Sequence, residues 1–264
     1  VLSVGEIDDK NYLNTIIHGD CIEGLKKLPD NAVTVSMTSP PYNIEKLIRR
    51  REDGTHYHLK VYKAYDDKHE NYKSFICDVV KELIRVSEYY VFFNIQMLLG
   101  NKLDIVDLMH EFKLNIKDVI IWNKKQVTPS INPTQLSSQF EFIFVFAKEK
   151  YCMSKPFEHA FFNNRQKGQL NTNVITGNNA FNEKNKSGNF AVFPEYLVRE
   201  ILTKFTTDGD TVLDPFSGSG TVAAVAKQMK RNYVGFDLDE SYVKYAEDRV
   251  SKVSSSTLDE WWNK

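Results

Sequence analysis

Thr211-Val212-Leu213-Asp214-Pro215-Phe216-Ser217-Gly218-Ser219-Gly220-Thr221 opens the stretch that decides the fold, and Tyr233-Val234-Gly235-Phe236-Asp237 closes it. Thr211–Asp214 reads as a strand, Phe216–Gly220 as a Gly/Ser turn and Thr221–Met229 as an Ala-rich helix. Tyr233–Asp237 reads as a second strand and Glu240–Val250 as another helix, which completes a βαβα unit. Glycines let the backbone approach a ligand closely, and amides at the start of the next helix hold anions. Phe216, Ser217, Gly218, Ser219, Gly220 and Thr221 are therefore candidate ligand contacts, with Asp214 available to attract an ammonium group. Asp237, at the end of the second strand, is placed to accept hydrogen bonds from ribose hydroxyls. Gly218-x-Gly220-x-x-Ala223 also fits a loose dinucleotide fingerprint, so this stretch alone leaves a nicotinamide and a sulfonium cofactor both open.

Working outward, short runs rich in β-branched and aromatic residues predict strands at Thr15–His18, Val33–Thr38, Tyr89–Phe93, Val119–Trp122 and Phe140–Ala147. Cys21–Leu28 and Tyr72–Val86 read as helices, the second from Phe75, Val79, Leu83 and Val86 at helical spacing. Pro194 suits a first helical position ahead of Leu197, Val198, Ile201, Leu202 and Phe205 on one face. Alternating strands and helices imply a mostly parallel α/β sheet in one domain spanning residues 1–264. Tyr151–Asn189 is crowded with Asn, Gly, Lys and Phe and shows neither period, so it reads as an insert. The tail Ser254–Lys264 carries Leu258, Trp261 and Trp262 after a serine run, as a locally packed or subunit-contact segment does.

Composition narrows the function. With 42% hydrophobic residues and a formal net charge of −1, the chain can build a sizeable core but cannot coat nucleic acid by bulk charge. Three widely spaced cysteines without a CxxC pair suggest neither a disulfide framework nor a zinc site, and no metal is expected. A reducing cytoplasm fits, and the acidic N-terminal residues and broken apolar runs suggest no export signal or membrane span.

Thr38-Ser39-Pro40-Pro41-Tyr42-Asn43 follows the apolar run Val33–Met37 directly. Two prolines stop the strand and stiffen its exit, where ligands bind in open α/β sheets. An exocyclic amine has its lone pair delocalised into the ring and becomes a nucleophile only when acceptors hold its hydrogens. Ser39 Oγ and the Pro40 carbonyl supply two such acceptors, Pro41 keeps the loop rigid, and Tyr42 offers a flat face for an extruded base.

The pair TSPPYN and DPFSGSGT resembles the β-group amino-methyltransferases of restriction-modification systems, in which the catalytic motif precedes the cofactor motif. The resemblance covers most of the chain. It takes in Asn189–Pro194 with Leu197, His18-Gly19-Asp20, and Val234–Asp237 with Tyr242, Ala246 and Arg249. Ile121–Lys124 and Glu141–Lys148 resemble the family's later strands, a hairpin closing one sheet edge. Where the helix motif often begins His-Pro, this chain has Asn189-Phe190.

The resemblance implies a Rossmann-like S-adenosylmethionine-dependent methyltransferase fold with a circularly ordered, mostly parallel seven-stranded sheet and a small recognition insert. It further implies S-adenosyl-L-methionine as cofactor, held by Asp20 and Thr38 as well as the glycine turn, and double-stranded DNA as substrate with base flipping. Homodimers and a separately acting cognate restriction endonuclease are partners that it allows. Ser39 favours the N4 amine of cytosine, with the N6 amine of adenine as the alternative. C5 attack needs a cysteine nucleophile, usually in a Pro-Cys dipeptide that this chain lacks. A nicotinamide-dependent dehydrogenase is the alternative from another class, and it would not require Ser-Pro-Pro-Tyr.

Two basic segments are candidates for gripping DNA. Lys46–Lys63 carries Lys46, Arg49, Arg50, Arg51, Lys60 and Lys63 interleaved with His56, Tyr57, His58 and Tyr62, and reads as a DNA-contacting loop. The insert Tyr151–Asn189, with Arg165 and Lys167 among many Asn and Gln side chains, reads as the target-recognition region.

Overall fold

The computed structural model describes residues 1–8, 11–43, 48–50, 56–58, 71–98, 100–125, 136–152, 156–159, 172–178 and 193–254. In chain order the elements are β1 (Thr15–His18), α1 (Cys21–Lys27), β2 (Val33–Thr38), β3 (Ile48–Arg50), β4 (His56–His58), α2 (Tyr72–Val86), β5 (Ser87–Ile95) and α3 (Lys102–Glu111). Then come β6 (Ile116–Lys124), β7 (Phe140–Ala147), β8 (Val174–Gly177), α4 (Glu195–Phe205), β9 (Thr211–Asp214), α5 (Thr221–Gln228), β10 (Asn232–Asp237) and α6 (Glu240–Ser251).

Eight strands form one sheet in the order β1-β10-β9-β2-β5-β7-β6-β8, and β3 and β4 pair separately as an antiparallel ribbon. All neighbours in the large sheet run parallel except β5–β7 and β7–β6. The strands alternate their burial between two cores, as a sheet covered on both faces requires. Val91, Phe93 and Ile95 of β5 with Phe144 and Phe146 of β7 meet Ile76, Val79 and Leu83 of α2 on one face. Tyr90, Phe92, Ile143 and Val145 point the other way, onto Leu197, Ile201 and Phe205 of α4. Ile16 of β1 packs on that second face too, under Val243 and Ala246 of α6.

Local chemistry sets the helix ends. Asn71 caps α2 by accepting from the Ser74 amide, Asp20 caps α1 by accepting from the Glu23 amide, and Asp239 caps α6. Arg85 of α2 donates to the Leu25 and Leu28 carbonyls and pairs with Asp30 and Glu82, which fastens α2 to the end of α1. Pro194 is extended (φ −68°, ψ 131°) and stands one residue before α4, as its cap.

The sheet departs from the expected seven strands. The eighth is β8, which lies inside the segment expected to be an aperiodic insert and pairs parallel with β6 from Ile121↔Val174 to Lys124↔Gly177. The β6–β7 hairpin therefore does not close the sheet edge, because β8 lies outside it. This strand escapes periodicity because it is four residues long and buries only Ile175 of its apolar side chains. Helix α3 also carries little signal: it buries Ile105 and Leu108 but leaves Leu103 and Val106 exposed, so its apolar residues form no single stripe. Among the described residues, no helix is long and apolar enough to cross a membrane.

Candidate active site

The strand order reverses between β2 and β9. From β2 the chain proceeds to β5 through α2 on one face, and from β9 to β10 through α5 on the other. A crevice at such a switch point, beyond the carboxyl ends of the strands, is where open α/β sheets bind ligands. Thr38 ends β2 and Asp214 ends β9, and Thr38 Oγ1 donates to Asp214 Oδ1 across 2.7 Å. The two motifs, 176 residues apart in the chain, thus meet through one buried hydrogen bond.

Asp214 also accepts from the Phe216 amide at 3.0 Å. Burial disfavours its charged form, the nearby Asp237 carboxylate adds to this, and the pKa is pushed up to about 7 despite both hydrogen bonds. Among the described residues no Lys, Arg or His forms an ion pair with it. The glycine turn folds back on β10: the Ser217 amide donates to the Phe236 carbonyl, and the Gly218 amide to Asp237 Oδ2 at 2.8 Å. Asp237 also accepts from the Asp239 amide, and burial raises its pKa as well. Gly220 sits at φ +72°, with Ala246 so close that an added Cβ would lie 2.7 Å from the Ala246 Cβ. Phe216 is held from α2 by an edge contact with Phe75, ring centroids 5.9 Å apart.

Ser219 and Thr221 direct their side chains away from solvent, toward Arg249 of α6. That guanidinium donates to the Ser219 carbonyl at 3.1 Å and to Thr221 Oγ1 at 3.0 Å, and pairs with Glu195 of α4 at 2.6 Å. Asp20 lies just beyond β1, beside the end of β10, where the Gly19 amide donates to the Asp237 carbonyl.

The Ser39–Tyr42 loop is fixed from several sides. Tyr72 of α2 donates to the Pro41 carbonyl at 2.6 Å, and Asn101 Nδ2 to the Tyr42 carbonyl at 2.8 Å. No described residue donates to the Pro40 carbonyl. Ser39 Oγ lies 3.0 Å from the Tyr42 hydroxyl, which donates to Glu141 Oε2 at 2.7 Å. Asn94 Nδ2 donates to both the Tyr42 hydroxyl and Glu141 Oε2 at 2.7 Å, and Asn94 Oδ1 is a buried acceptor without a partner. Lys124 Nζ, itself buried, pairs with Glu141 Oε1 at 2.5 Å.

Sequence reasoning names Ser39, Pro40, Pro41, Tyr42, Thr38, Asp20, Asp214, Asp237 and the turn from Phe216 to Thr221, and all of them stand along the carboxyl edge of neighbouring strands. It misses Asn94, Glu141 and Lys124. Their only signal is a polar residue interrupting an apolar strand, as in Phe93-Asn94-Ile95 and Phe140-Glu141-Phe142. Arg49 and Arg50 lie in β3, opposite Tyr57 and His56 of β4. Arg51, Lys60, Lys63, Arg165 and Lys167 lie outside the described residues. Among the described residues no group of His, Cys, Asp or Glu is arranged to hold a metal.

A family model described as DNA methylase, of the N6/N4 methyltransferase class, matches residues 33–248. Type II methyltransferase M.HinfI of Haemophilus influenzae is 27% identical over 94% of this chain and 71% of its own length. Type II methyltransferase M.Cfr9I of Citrobacter freundii is 26% identical over 92% and 90%. Two solved structures share the fold: PvuII DNA methyltransferase (cytosine-N4-specific), with a TM-score of 0.63 at 17% identity over 90% of each chain, and the M1.HpyAVI–SAM complex, with 0.60 at 22% identity over 89% of this chain and 98% of that one. The match runs from β2 into α6 and takes in both strand-end motifs, which removes the dehydrogenase alternative: the chain belongs to the N6/N4 DNA methylase family.

Proposed function

We propose that this methylase transfers a methyl group from S-adenosyl-L-methionine to the N4 amine of a cytosine flipped out of double-stranded DNA. The observation that carries the reading is the Thr38–Asp214 hydrogen bond, which sets the Ser-Pro-Pro-Tyr loop against the glycine turn. The residues fit a cationic cofactor, because Asp214 is a carboxyl whose pKa is raised by burial and by the nearby Asp237 carboxylate, and a cation beside it would favour its charged form. S-adenosylmethionine supplies an activated methyl group on a sulfonium centre.

Asp214 would take the ammonium group, and the main-chain amides of the turn the carboxylate. Asp237, with acceptor capacity left beyond the Gly218 and Asp239 amides, would take the ribose hydroxyls, and Asp20 the adenosine half. Ser219 and Thr221 act through Arg249 to hold the turn.

On the other side of the crevice, Ser39 Oγ and the Pro40 carbonyl accept the two amine hydrogens, which frees the nitrogen lone pair for attack. Tyr42, its hydroxyl anchored by Glu141 and Asn94, presents a ring of fixed orientation for the base to stack on. Flipping costs a few kcal/mol of unstacking, offset by stacking and by the grip of basic side chains on the duplex. Lys46–Lys63 is assigned that grip, and Tyr151–Asn189, which places β8 beside β6, the reading of sequence.

Ser39 and the fold shared with a cytosine-N4-specific enzyme favour N4. Incubation with isotopically labelled cofactor and duplex DNA, followed by digestion and mass spectrometry of the nucleosides, should yield N4-methyldeoxycytidine. N6-methyldeoxyadenosine as the sole product would move the target to adenine, and no methylated nucleoside would overturn the reading altogether.

A further inference from the structure

We propose that Glu141 is a positioning residue that acts through Tyr42 to fix the direction of the Ser39 hydroxyl, so that Ser39 faces the target amine as an acceptor only. A serine hydroxyl can donate or accept, and amine activation requires it to accept. Nothing in Ser39 itself makes that choice.

The surrounding donors and acceptors make it. Glu141 Oε1 forms an ion pair with the buried Lys124 Nζ at 2.5 Å, and a carboxylate in an ion pair only accepts. The Tyr42 proton is therefore committed to Glu141 Oε2, 2.7 Å away. Asn94 Nδ2 lies 2.7 Å from both Tyr42 and Glu141 and 3.5 Å from Ser39 Oγ; an amide nitrogen only donates, so it approaches Tyr42 as a donor and leaves the tyrosine oxygen accepting. The remaining contact on that oxygen, 3.0 Å from Ser39 Oγ, has to be a hydrogen bond donated by Ser39. Once the serine proton points to Tyr42, only lone pairs remain for the site. An aspartate in place of Ser39 would need no such device, since its oxygens accept in any orientation.

Buried carboxylates next to a lysine are costly, and both members of this pair are buried. Its placement directly behind Tyr42 gives that cost a purpose. In Glu141→Gln, the amide would present a donor where Tyr42 now finds an acceptor, and the order would run backwards, turning the Ser39 proton toward the substrate amine.

The inference rests on the amine-methylation reading, and a double-mutant cycle separates the two. Single-turnover methylation at saturating DNA and cofactor would be measured for wild type, Tyr42→Phe, Glu141→Gln and the double variant, with cofactor Kd by calorimetry. Glu141→Gln should slow the methyl-transfer step about tenfold or more, in keeping with a lost charge-assisted hydrogen bond, while leaving cofactor affinity unchanged. In the Tyr42→Phe background, where only the long 3.5 Å contact of Asn94 Nδ2 with Ser39 Oγ still links Glu141 to the serine, the same substitution should change the rate by less than about twofold. Equal losses in both backgrounds would overturn the inference and make Glu141 a merely structural partner of Lys124. If Glu141→Gln melts much earlier because Lys124 is left unpaired, Lys124→Met/Glu141→Leu, which removes the acceptor and the unpaired ammonium together, replaces it in both arms with the same expectation. A wild-type protein that methylates no amine would overturn the reading and the inference together.

Discussion

Asp214 shows at the scale of one residue how a binding group can oppose the fold that presents it. Its pKa is pushed up to about 7 by burial, from an ordinary value of 3.8. A carboxyl raised in the folded state contributes stability that is complete below the unfolded pKa and is lost as pH rises through the folded one. The ligand-free protein should therefore carry roughly 4 kcal/mol of strain from Asp214 above pH 7, an order-of-magnitude figure from that shift. Asp214→Asn keeps an acceptor for Thr38 Oγ1 and the Phe216 amide, which share Oδ1, and removes the charge. Chemical denaturation should find the variant stabilised at pH 8 and little changed near pH 4. Cofactor affinity should fall sharply in the same variant. In the wild type, an ammonium group placed beside Asp214 should expel its proton, so calorimetry near pH 6 in buffers of different ionisation enthalpy should detect proton release on cofactor binding. An identical heat in every buffer would remove the charge pairing from the proposed site.

Between elements, the glycine turn is only as firm as its neighbours. Gly220 caps α5 at φ +72° and leaves no room for a Cβ against Ala246 of α6. Gly220→Ala should cost about 2 kcal/mol or more from the two effects together, and Ala246→Gly added to it should recover the steric part alone. Thermal melts of the two variants test this, since a second substitution without benefit would mean that α6 already yields. Arg249 is the tie between α4, α6 and the turn, and its bonds to Ser219 and Thr221 are to buried groups. Arg249→Met should lower cofactor affinity along with stability, whereas Glu195→Gln, which loses only a half-exposed pairing, should cost less than about 1 kcal/mol. Most of these elements announce themselves locally. Tyr72–Val86 and Phe140–Ala147 are predicted to the residue because each repeats its apolar side chains at its own period, whereas α3 and β8 bury too few to repeat anything.

For the whole molecule, a net charge of −1 leaves DNA attraction to local clusters. Neutralising Arg49, Arg50 and Arg51 should weaken binding to every duplex and reduce the slope of log K against log salt by about 0.9 for each phosphate that is no longer neutralised. Substituting Arg165 or Lys167 should instead alter discrimination between sites, and binding titrations over a salt series on matched and mismatched duplexes tell the roles apart. The amino-acid sequence by itself determined the βαβα unit, the proline-stiffened exit at Ser39 and the acidic strand ends, because periodicity, proline and glycine act within a few residues of themselves. Which strands become neighbours was decided only by the folded chain: that β2 lies beside β9, so that Thr38 reaches Asp214, and that β7 enters between β5 and β6. The convergence of Asn94, Glu141 and Lys124 behind Tyr42 belongs to the same level, since a buried polar residue in an apolar strand states that it needs a partner but not which one, and the partner comes from strand order.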